Sequence, residues 1–231
     1  MGISVTNKEA RSDYPGAAVS KLITQHPKYK ESKRIGIYLS MPAAEIQTDA
    51  IVRDAFLNGK KVFVPFLRKH PSPSPDAPKS VMDMVDLRSL SDYTSLKRDS
   101  WGIPTIGDDT VAEREGVLGY WTPKEISSEG LDMILLPGVA FDVDPADDRI
   151  RRLGHGKGYY DYFMHRYLGN QRGTDTTNVP GTDVLLYGLA LEEQSLQSET
   201  GKSVPVGDLD HRLHGLVVGS GKIVEGPLNT S

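Results

Sequence analysis

The stretch RIGIYLSMPAAEIQTDAIVRDAFLNGKKVFVPF, residues 34–66, decides the fold of this 231-residue chain. It begins with an apolar run rich in β-branched and aromatic side chains, which is typical of a strand. Thr48 is a favourable helix N-cap, apolar residues then recur at helical spacing, and Gly59 stands where a helix commonly ends. A second apolar run closes the stretch, so residues 34–66 predict a strand–helix–strand unit.

Further strands and a helix are predicted outside this unit. The strands are two nearly continuous apolar runs, 131–136 and 184–190, and two weaker candidates, 82–87 and 216–218. Continuous apolar runs are expected where helices cover both faces of a sheet. A helix is predicted between Gly158 and Gly169, with Gly169 ending it. The alternation of strands and helices predicts one α/β domain over residues 1–231, with a single open, mostly parallel, twisted sheet flanked by helices.

Composition and charge argue against several classes of protein. The 27 Lys and Arg residues are outnumbered by 31 Asp and Glu residues, and the net charge of −4 disfavours a nucleic-acid or membrane-surface partner. The sequence has no cysteine, which removes disulfides, thiolate metal ligands and cysteine nucleophiles. No apolar run approaches the roughly 18 residues that span a bilayer. Because no secretory signal is visible, a cytosolic location is predicted, with a mitochondrial one left open.

Turn-forming residues predict the connections. Pro, Gly and polar residues are concentrated in 69–80 and 169–183, which are predicted to be surface loops. The sequence GSGKI at 219–223 looks like the end of a P-loop. However, Leu216 stands where the motif requires glycine, and Ile223 stands where it requires the Ser or Thr that binds magnesium. Residues 219–223 are therefore interpreted as a turn between two strands.

The strongest candidate for chemistry is RLGHGKGYYD, residues 152–161, where glycines alternate with His155 and Lys157 just before the predicted helix. Backbone amides of such a loop can approach phosphate oxygens, and a helix N-terminus adds positive charge. A flexible turn with solvated bases is the alternative. Asp161 follows within one helical turn, so it is either a magnesium ligand or an ordinary acid favoured by the helix dipole. A magnesium ion would need a second acid, for which Asp208 and Asp210 are the candidates.

Three other segments are candidate walls of a site. The Pro137-Gly138 turn ends a predicted buried strand, and ligands of open α/β sheets gather at such strand ends. Glu45 follows the first strand and is either an acceptor for ligand N–H groups or a solvated loop residue. Trp101 lies in a Pro/Gly loop, where its indole either stacks on a planar ring or is partly buried. The histidines show no zinc spacing, and no Gly-x-Ser-x-Gly elbow is present.

Taken together, these segments resemble the 5-formyltetrahydrofolate cyclo-ligase family. The similarity is collinear over most of the chain, and the block from the Pro137-Gly138 turn through Arg-Leu-Gly-x-Gly-x-Gly-Tyr-Tyr-Asp at 152–161 is the most specific part. The resemblance implies a Rossmann-like sheet and an enzyme that uses ATP and Mg²⁺ to convert 5-formyltetrahydrofolate to 5,10-methenyltetrahydrofolate. The predicted partner is formylfolate carrying one or several glutamates, with no nucleic-acid or membrane partner, and the predicted oligomeric state is a monomer.

The resemblance also implies roles for individual residues. The nucleotide-binding residues would be Arg152, Leu153, Gly154, His155, Gly156, Lys157, Gly158, Tyr159 and Tyr160. The catalytic residues among them would be Arg152, Lys157 and Tyr159. The folate-binding residues would be Leu39, Glu45, Trp101, His155, Lys157 and Tyr159. The magnesium ligands would be Asp161 and Asp210.

This sequence departs from the family pattern most at its N-terminus. The family usually begins with a basic helix whose Lys and Arg lie four residues apart, whereas Lys8 and Arg11 are three apart, so residues 1–15 are interpreted as a divergent or shortened N-terminus. Phe66 stands where relatives often carry Arg. A non-catalytic relative that binds folate or nucleotide is therefore the alternative. A sugar-phosphate isomerase or an acyl-CoA transferase on a related scaffold is a third possibility, which would not need ATP.

Overall fold

A mostly parallel sheet forms the centre of the computed structural model, which describes residues 16–42, 45–70, 79–119, 121, 129–171, 184–196 and 201–227. The strands are β1 (Arg34–Ile37), β2 (Lys61–Lys69), β3 (Ser80–Asp86), β4 (Lys97–Arg98), β5 (Pro104–Thr105), β6 (Met133–Leu136), β7 (Ala140–Val143), β8 (Ile150–Leu153), β9 (Leu185–Ala190), β10 (Gly215–Val218) and β11 (Ile223–Glu225). The helices are α1 (Ala17–Gln25), α2 (Pro27–Glu31), α3 (Asp49–Leu57), α4 (Leu90–Ser95), α5 (Asp108–Val111) and α6 (Tyr159–Gln171), followed by a 3₁₀ turn at Glu192–Gln194.

Within the described ranges, the sheet has seven strands in the order β11-β10-β9-β6-β1-β2-β3. The inner pairs are parallel, and the edge strands β3 and β11 are antiparallel to their neighbours. The predicted open, mostly parallel α/β sheet is therefore confirmed. The chain passes from β1 to β2 on one side and later returns to β6 on the other side of β1. Ligands of open α/β sheets bind at the carboxyl ends of strands where the order reverses in this way.

The predicted strand–helix–strand unit is confirmed, with Ile35 of β1 paired to Val62 of β2. Gly59 has a φ of +69° just beyond α3, as expected for a glycine that ends a helix. Thr48 is the N-cap residue of α3, as predicted, although its side chain accepts no cap hydrogen bond. The Thr48 hydroxyl instead donates to the carbonyl of Tyr38 at 2.8 Å, so it ties the start of α3 to the end of β1.

The predicted end of α6 at Gly169 is wrong, because the helix continues to Gln171. Gly169 is exposed, and a Cβ there would meet nothing within 4 Å. A glycine can remain helical at a modest entropic cost when no left-handed turn follows. The first residues of the predicted 169–183 loop therefore belong to α6, and residues 172–183 lie outside the described chain.

The other predicted loop is shorter than expected. Lys69 ends β2, Ser80 begins β3, and the amide of His70 still donates to the carbonyl of Lys79 at 3.0 Å. The described hairpin thus extends to these residues, and 71–78 lie outside the described chain. Residues 1–15, which include Lys8 and Arg11, also lie outside it. The predicted turn at 219–223 is confirmed, because residues 219–222 connect the antiparallel strands β10 and β11.

Apolar side chains pack on both faces of the sheet. Val62 and Val64 belong to a cluster covered by α1 and α3, whereas Phe63 belongs to a second cluster that includes Phe163 and Met164 of α6. Successive side chains of a strand point to opposite faces, so β2 contributes to both clusters. None of the helices in the described segments is long and apolar enough to cross a membrane.

Replacing Gly215 with alanine is expected to lower the free energy of unfolding. Gly215 pairs with Tyr187 on β9, and a Cβ at 215 would overlap the Tyr187 ring, which is itself fully buried. Overpacking of this kind typically costs about 1–3 kcal/mol, which urea denaturation would measure. Gly169→Ala is the control and should raise the free energy of unfolding, because alanine in an open helical position stabilises by about 0.5–1 kcal/mol. A neutral Gly215→Ala would contradict this packing.

Candidate active site

A cavity of about 590 Å³ lies where β1, β2 and β6 end, and it is the candidate active site. Eleven of the predicted site residues line it: Leu39, Glu45, Trp101, Arg152, Gly154, His155, Lys157, Gly158, Tyr159, Tyr160 and Asp161. Three predicted site residues do not: Leu153, Gly156 and Asp210. Pro137, from the turn after β6, also lines the cavity, as expected for a site wall. Segments far apart in sequence are thus brought together at the carboxyl edge of the sheet.

The glycine-rich loop connects β8 to α6 along one wall. Gly156 and Gly158 have φ values of +76° and +65°, which strain any residue with a Cβ. A Cβ at Gly154 would lie 3.0 Å from an Nη atom of Arg152, so glycine there leaves room for the guanidinium. Lys157 lines the cavity, is exposed, and has no hydrogen bond or ion pair to any residue in the described ranges. The loop therefore presents an unpaired ammonium group beside the N-terminus of a 13-residue helix.

Arg152 and Asp161 form an ion pair in the same wall. An Nη of Arg152 lies 2.5 Å from a carboxylate oxygen of Asp161, and the other Nη donates to the carbonyl of Pro137 at 3.3 Å. The Arg152 side chain is 3% exposed, and its guanidinium lies 5.6 Å from the centre of the Tyr160 ring. Burial raises the pKa of Tyr160, and the Arg152 charge partly offsets the rise. A buried cation is thus held between the turn after β6 and the first turn of α6.

Glu45 forms a negative pole in the wall of the same cavity. Its carboxylate accepts from the amide of Met41 at 2.9 Å, and Gln47 braces the same turn by donating to the carbonyl of Met41 at 2.7 Å. Burial raises the pKa of Glu45 above its ordinary value, and the Met41 hydrogen bond and the charge of His155 partly oppose the rise. Tyr38 lies close enough for Glu45 to contribute, after burial, to its raised pKa. The pole is therefore a half-buried carboxyl group within the electrostatic reach of a histidine.

Trp101 supplies an aromatic wall on a loop with a constrained backbone. The Asp99 carboxylate accepts from the amides of Trp101 and Ile103, each at 2.9 Å. Gly102 has a φ of +78°, and a Cβ there would lie 2.8 Å from Pro42. The loop thus packs directly on the turn that carries Glu45. The indole is 72% exposed and lines the cavity, so it can stack on a planar ligand.

The sequence interpretation missed most of the wall formed by the end of β2. Pro65, Phe66, Leu67 and Arg68 line the cavity, and Phe66 is only 2% exposed, with its ring 5.2 Å from that of Trp121. Phe66 was considered only as a departure from the family pattern. One signal was available in the sequence. The apolar run at 61–67 is longer than β1, so its last residues extend beyond the end of β1.

The donor groups fit a magnesium ion only if phosphate oxygens complete its coordination. No cluster of three or more histidine or carboxylate side chains suited to a metal ion occurs in the described parts of the chain. Asp161 faces the cavity, but the Asp210 carboxylate accepts from the amide of Gly207 at 2.7 Å and does not line it. The ring centre of His211, the residue after Asp210, lies 6.5 Å from the ring centre of His165 on α6. Magnesium usually takes one or two carboxylates together with nucleotide phosphates, which suits Asp161.

Comparison with known proteins shows which family this chain is similar to. The sequence profile of the 5-formyltetrahydrofolate cyclo-ligase family matches residues 5–219. The chain is 38% identical to a mouse 5-formyltetrahydrofolate cyclo-ligase over 66% of its own length and 65% of the relative's, just under two thirds. It is 29% identical to a probable 5-formyltetrahydrofolate cyclo-ligase of Schizosaccharomyces pombe, covering 89% of this chain and 84% of that one.

A solved structure supports the fold. The NMR structure of Aquifex aeolicus 5,10-methenyltetrahydrofolate synthetase superposes with a TM-score of 0.56 at 21% identity, covering 96% of this chain and 87% of that one. At this identity the likeness shows the fold alone. The profile match over residues 5–219, nearly the whole sequence, shows that the chain belongs to the 5-formyltetrahydrofolate cyclo-ligase family.

Proposed function

We propose that this protein is an ATP-dependent ligase that converts 5-formyltetrahydrofolate to 5,10-methenyltetrahydrofolate and releases ADP and phosphate. One observation carries the proposal: a single cavity combines the cationic glycine loop, the Glu45 pole and the Trp101 wall. A nucleotide phosphate needs the first of these, and a pterin with its N–H donors and planar ring needs the other two.

The proposed chemistry activates a poor electrophile. The formyl oxygen attacks the γ-phosphorus of ATP, the bond to ADP breaks, and the formyl carbon becomes susceptible to attack by N10. N10 then forms its bond to that carbon and loses its proton. Departure of inorganic phosphate leaves the methenyl bridge. In such a transfer the protein contributes mainly positioning and neutralisation of charge.

Each wall of the cavity has a role in this reaction. Lys157, the loop amides and the N-terminus of α6 bind the transferring phosphate. Arg152, held by Pro137 and Asp161, supplies a second positive charge beside them. Glu45 accepts from the N–H groups of the pterin.

The remaining predicted residues surround these groups. Trp101 stacks on a ring of the folate, and Tyr159, His155 and Leu39 complete its pocket. Magnesium, when bound with ATP, supplies positive charge to the phosphate oxygens. Asp161 is its proposed protein ligand in the cavity wall, and Asp210 is the proposed second acid. The proposed location is the cytosol, and the proposed oligomeric state is a monomer.

Substrate affinity is expected to depend on the charge of Glu45. Because burial raises its pKa, the carboxylate is protonated as the pH falls through a value above the ordinary 4.5, and an acceptor for pterin N–H groups is lost. The KM for formylfolate should therefore rise as the pH is lowered from about 7 to 5. Glu45→Gln should raise KM about tenfold at neutral pH and flatten this dependence, because a charge-assisted hydrogen bond is weakened.

The control for this experiment is Glu193→Gln, an exposed glutamate that does not line the cavity. Its KM should follow the pH profile of the unmodified protein. An unchanged KM and pH profile in Glu45→Gln would contradict the role of Glu45.

Absorbance of the methenyl chromophore tests the activity directly. Purified protein is mixed with 5-formyltetrahydrofolate and magnesium, with and without ATP. Growth of the signal only when ATP is present is the expected result. Absence of growth, with folate binding retained in calorimetry, would indicate a relative that binds folate without converting it.

A further inference from the structure

Arg68 is a cation in the cavity wall that the proposed chemistry does not use. Its guanidinium carbon lies 4.5 Å from the centre of the Phe66 ring, and one Nη donates to the carbonyl of Leu67 at 2.7 Å. Its Nε and other Nη both contact one carboxylate oxygen of Asp108. The side chain is 37% exposed, so it remains accessible from the cavity that it lines. Arg68 is thus oriented by its neighbours without being buried.

Apolar residues line the cavity together with Arg68. Phe66 and Arg68 are two residues apart on β2, so their side chains lie on the same face of the strand. Ile103 and Pro104, next to the Trp101 loop, also line this cavity. A flat aromatic group lying along such a wall would bring its next polar group toward the guanidinium.

The ion pairs of the wall distinguish Arg68 from the other cations. Arg152 is paired with Asp161, which itself lines the cavity, and both Arg152 and Lys157 are already assigned to the phosphate. Asp108, the partner of Arg68, does not line the cavity and is 71% exposed. Exposed ion pairs contribute little free energy, so a ligand carboxylate in the cavity can replace Asp108. The planar guanidinium is well suited to bind a carboxylate through two hydrogen bonds.

We propose that Arg68 binds a carboxylate of the glutamate tail of the folate and so determines specificity for substrates that carry this acidic tail. The inference rests on the proposed function, because formylfolate supplies the glutamate. With the pterin at Glu45 and the aromatic segment along Trp101, the glutamate is the polar group that remains to be bound.

The test compares two substrates. One is 5-formyltetrahydrofolate, and the other is its analogue in which both glutamate carboxylates are amides. Arg68→Gln should raise KM for the natural substrate about 10- to 100-fold with kcat nearly unchanged, because a charge-assisted hydrogen bond to bound substrate is lost. For the diamide, the variant and the unmodified protein should have equal KM values. Arg68→Lys, which keeps the charge but not the planar fork, should give an intermediate KM for the natural substrate.

A matched control is available on α3. Arg53 pairs with Asp49 at 2.8 Å, is also partly exposed, and does not line the cavity. Arg53→Gln should leave KM for both substrates unchanged. The inference is overturned if the ratio of KM for the diamide to KM for the natural substrate is the same in Arg68→Gln as in the unmodified protein.

Failure of this inference can be separated from failure of the proposed function. If the unmodified protein forms the methenyl product and Arg68→Gln has a normal KM, only the role of Arg68 is wrong. If the unmodified protein forms no product, the proposed function is wrong. Calorimetric titration with 5-formyltetrahydrofolate and the diamide then still tests Arg68. If Arg68 binds a carboxylate, the unmodified protein should bind the diamide more weakly than 5-formyltetrahydrofolate. Arg68→Gln should bind the two compounds equally.

Discussion

Lys157→Ala is expected to lower kcat about 100- to 1,000-fold, with a smaller effect on KM for formylfolate. The loss is of the size seen when one preorganised group that stabilises transition-state charge is removed. Lys157 lies in the cavity wall and is unpaired within the described chain, so no other residue needs its charge. Alanine at an exposed loop position should leave the fold intact, and the loss should therefore appear in turnover. Single-turnover formation of the methenyl chromophore would measure the chemical step.

Lys222→Ala is the matched control, because Lys222 also follows a glycine in a glycine-rich turn but does not line the cavity. Its kcat should equal that of the unmodified protein. Normal turnover in Lys157→Ala would remove the glycine loop from the proposed chemistry.

Asp161→Asn should have the second large effect, which is at least a tenfold increase in the magnesium concentration needed for half-maximal rate. A carboxylate that binds the metal with the nucleotide phosphates is lost, whereas an amide oxygen can still accept from Arg152 at this position. The substitution therefore changes metal binding more than folding. Calorimetric titration of the protein with Mg-ATP provides a readout independent of turnover and should show weaker binding.

Asp49→Asn is the control for this variant. Asp49 is also an acid in the first turn of a helix and is also paired with an arginine, but it lies outside the cavity wall. Its magnesium requirement should be normal. A normal magnesium requirement in Asp161→Asn would indicate that Asp161 acts only as the partner of Arg152.

The parts of the fold that could be predicted are those that depend on local pattern. Local burial of one short segment produces each of these patterns: the apolar runs of β1, β2, β6 and β9, and the helical spacing of apolar residues in α3. One local prediction was wrong, and one side-chain contact could not be predicted. The helix α6 continues past Gly169 to Gln171, and the hydroxyl of the N-cap residue Thr48 donates to the carbonyl of Tyr38.

The same distinction applies to the candidate site. The glycine loop is contiguous from Arg152 to Asp161, so its residue types and spacing could be recognised directly. Arg68 has no distinctive neighbours in sequence, and its role depends on β2 extending beyond β1 toward the Trp101 loop. The proposed pairing of Asp161 with Asp210 depends on how two distant segments meet, and spacing in sequence carries no information about that.

The most direct test of the central claim is the coupling between ATP and formylfolate. Inorganic phosphate and the methenyl chromophore are measured in the same reaction, with each substrate omitted in turn. Under the proposed function, phosphate appears only when both substrates are present, in equal amount to the methenyl product. Phosphate release without formylfolate, or methenyl formation without ATP, would contradict it.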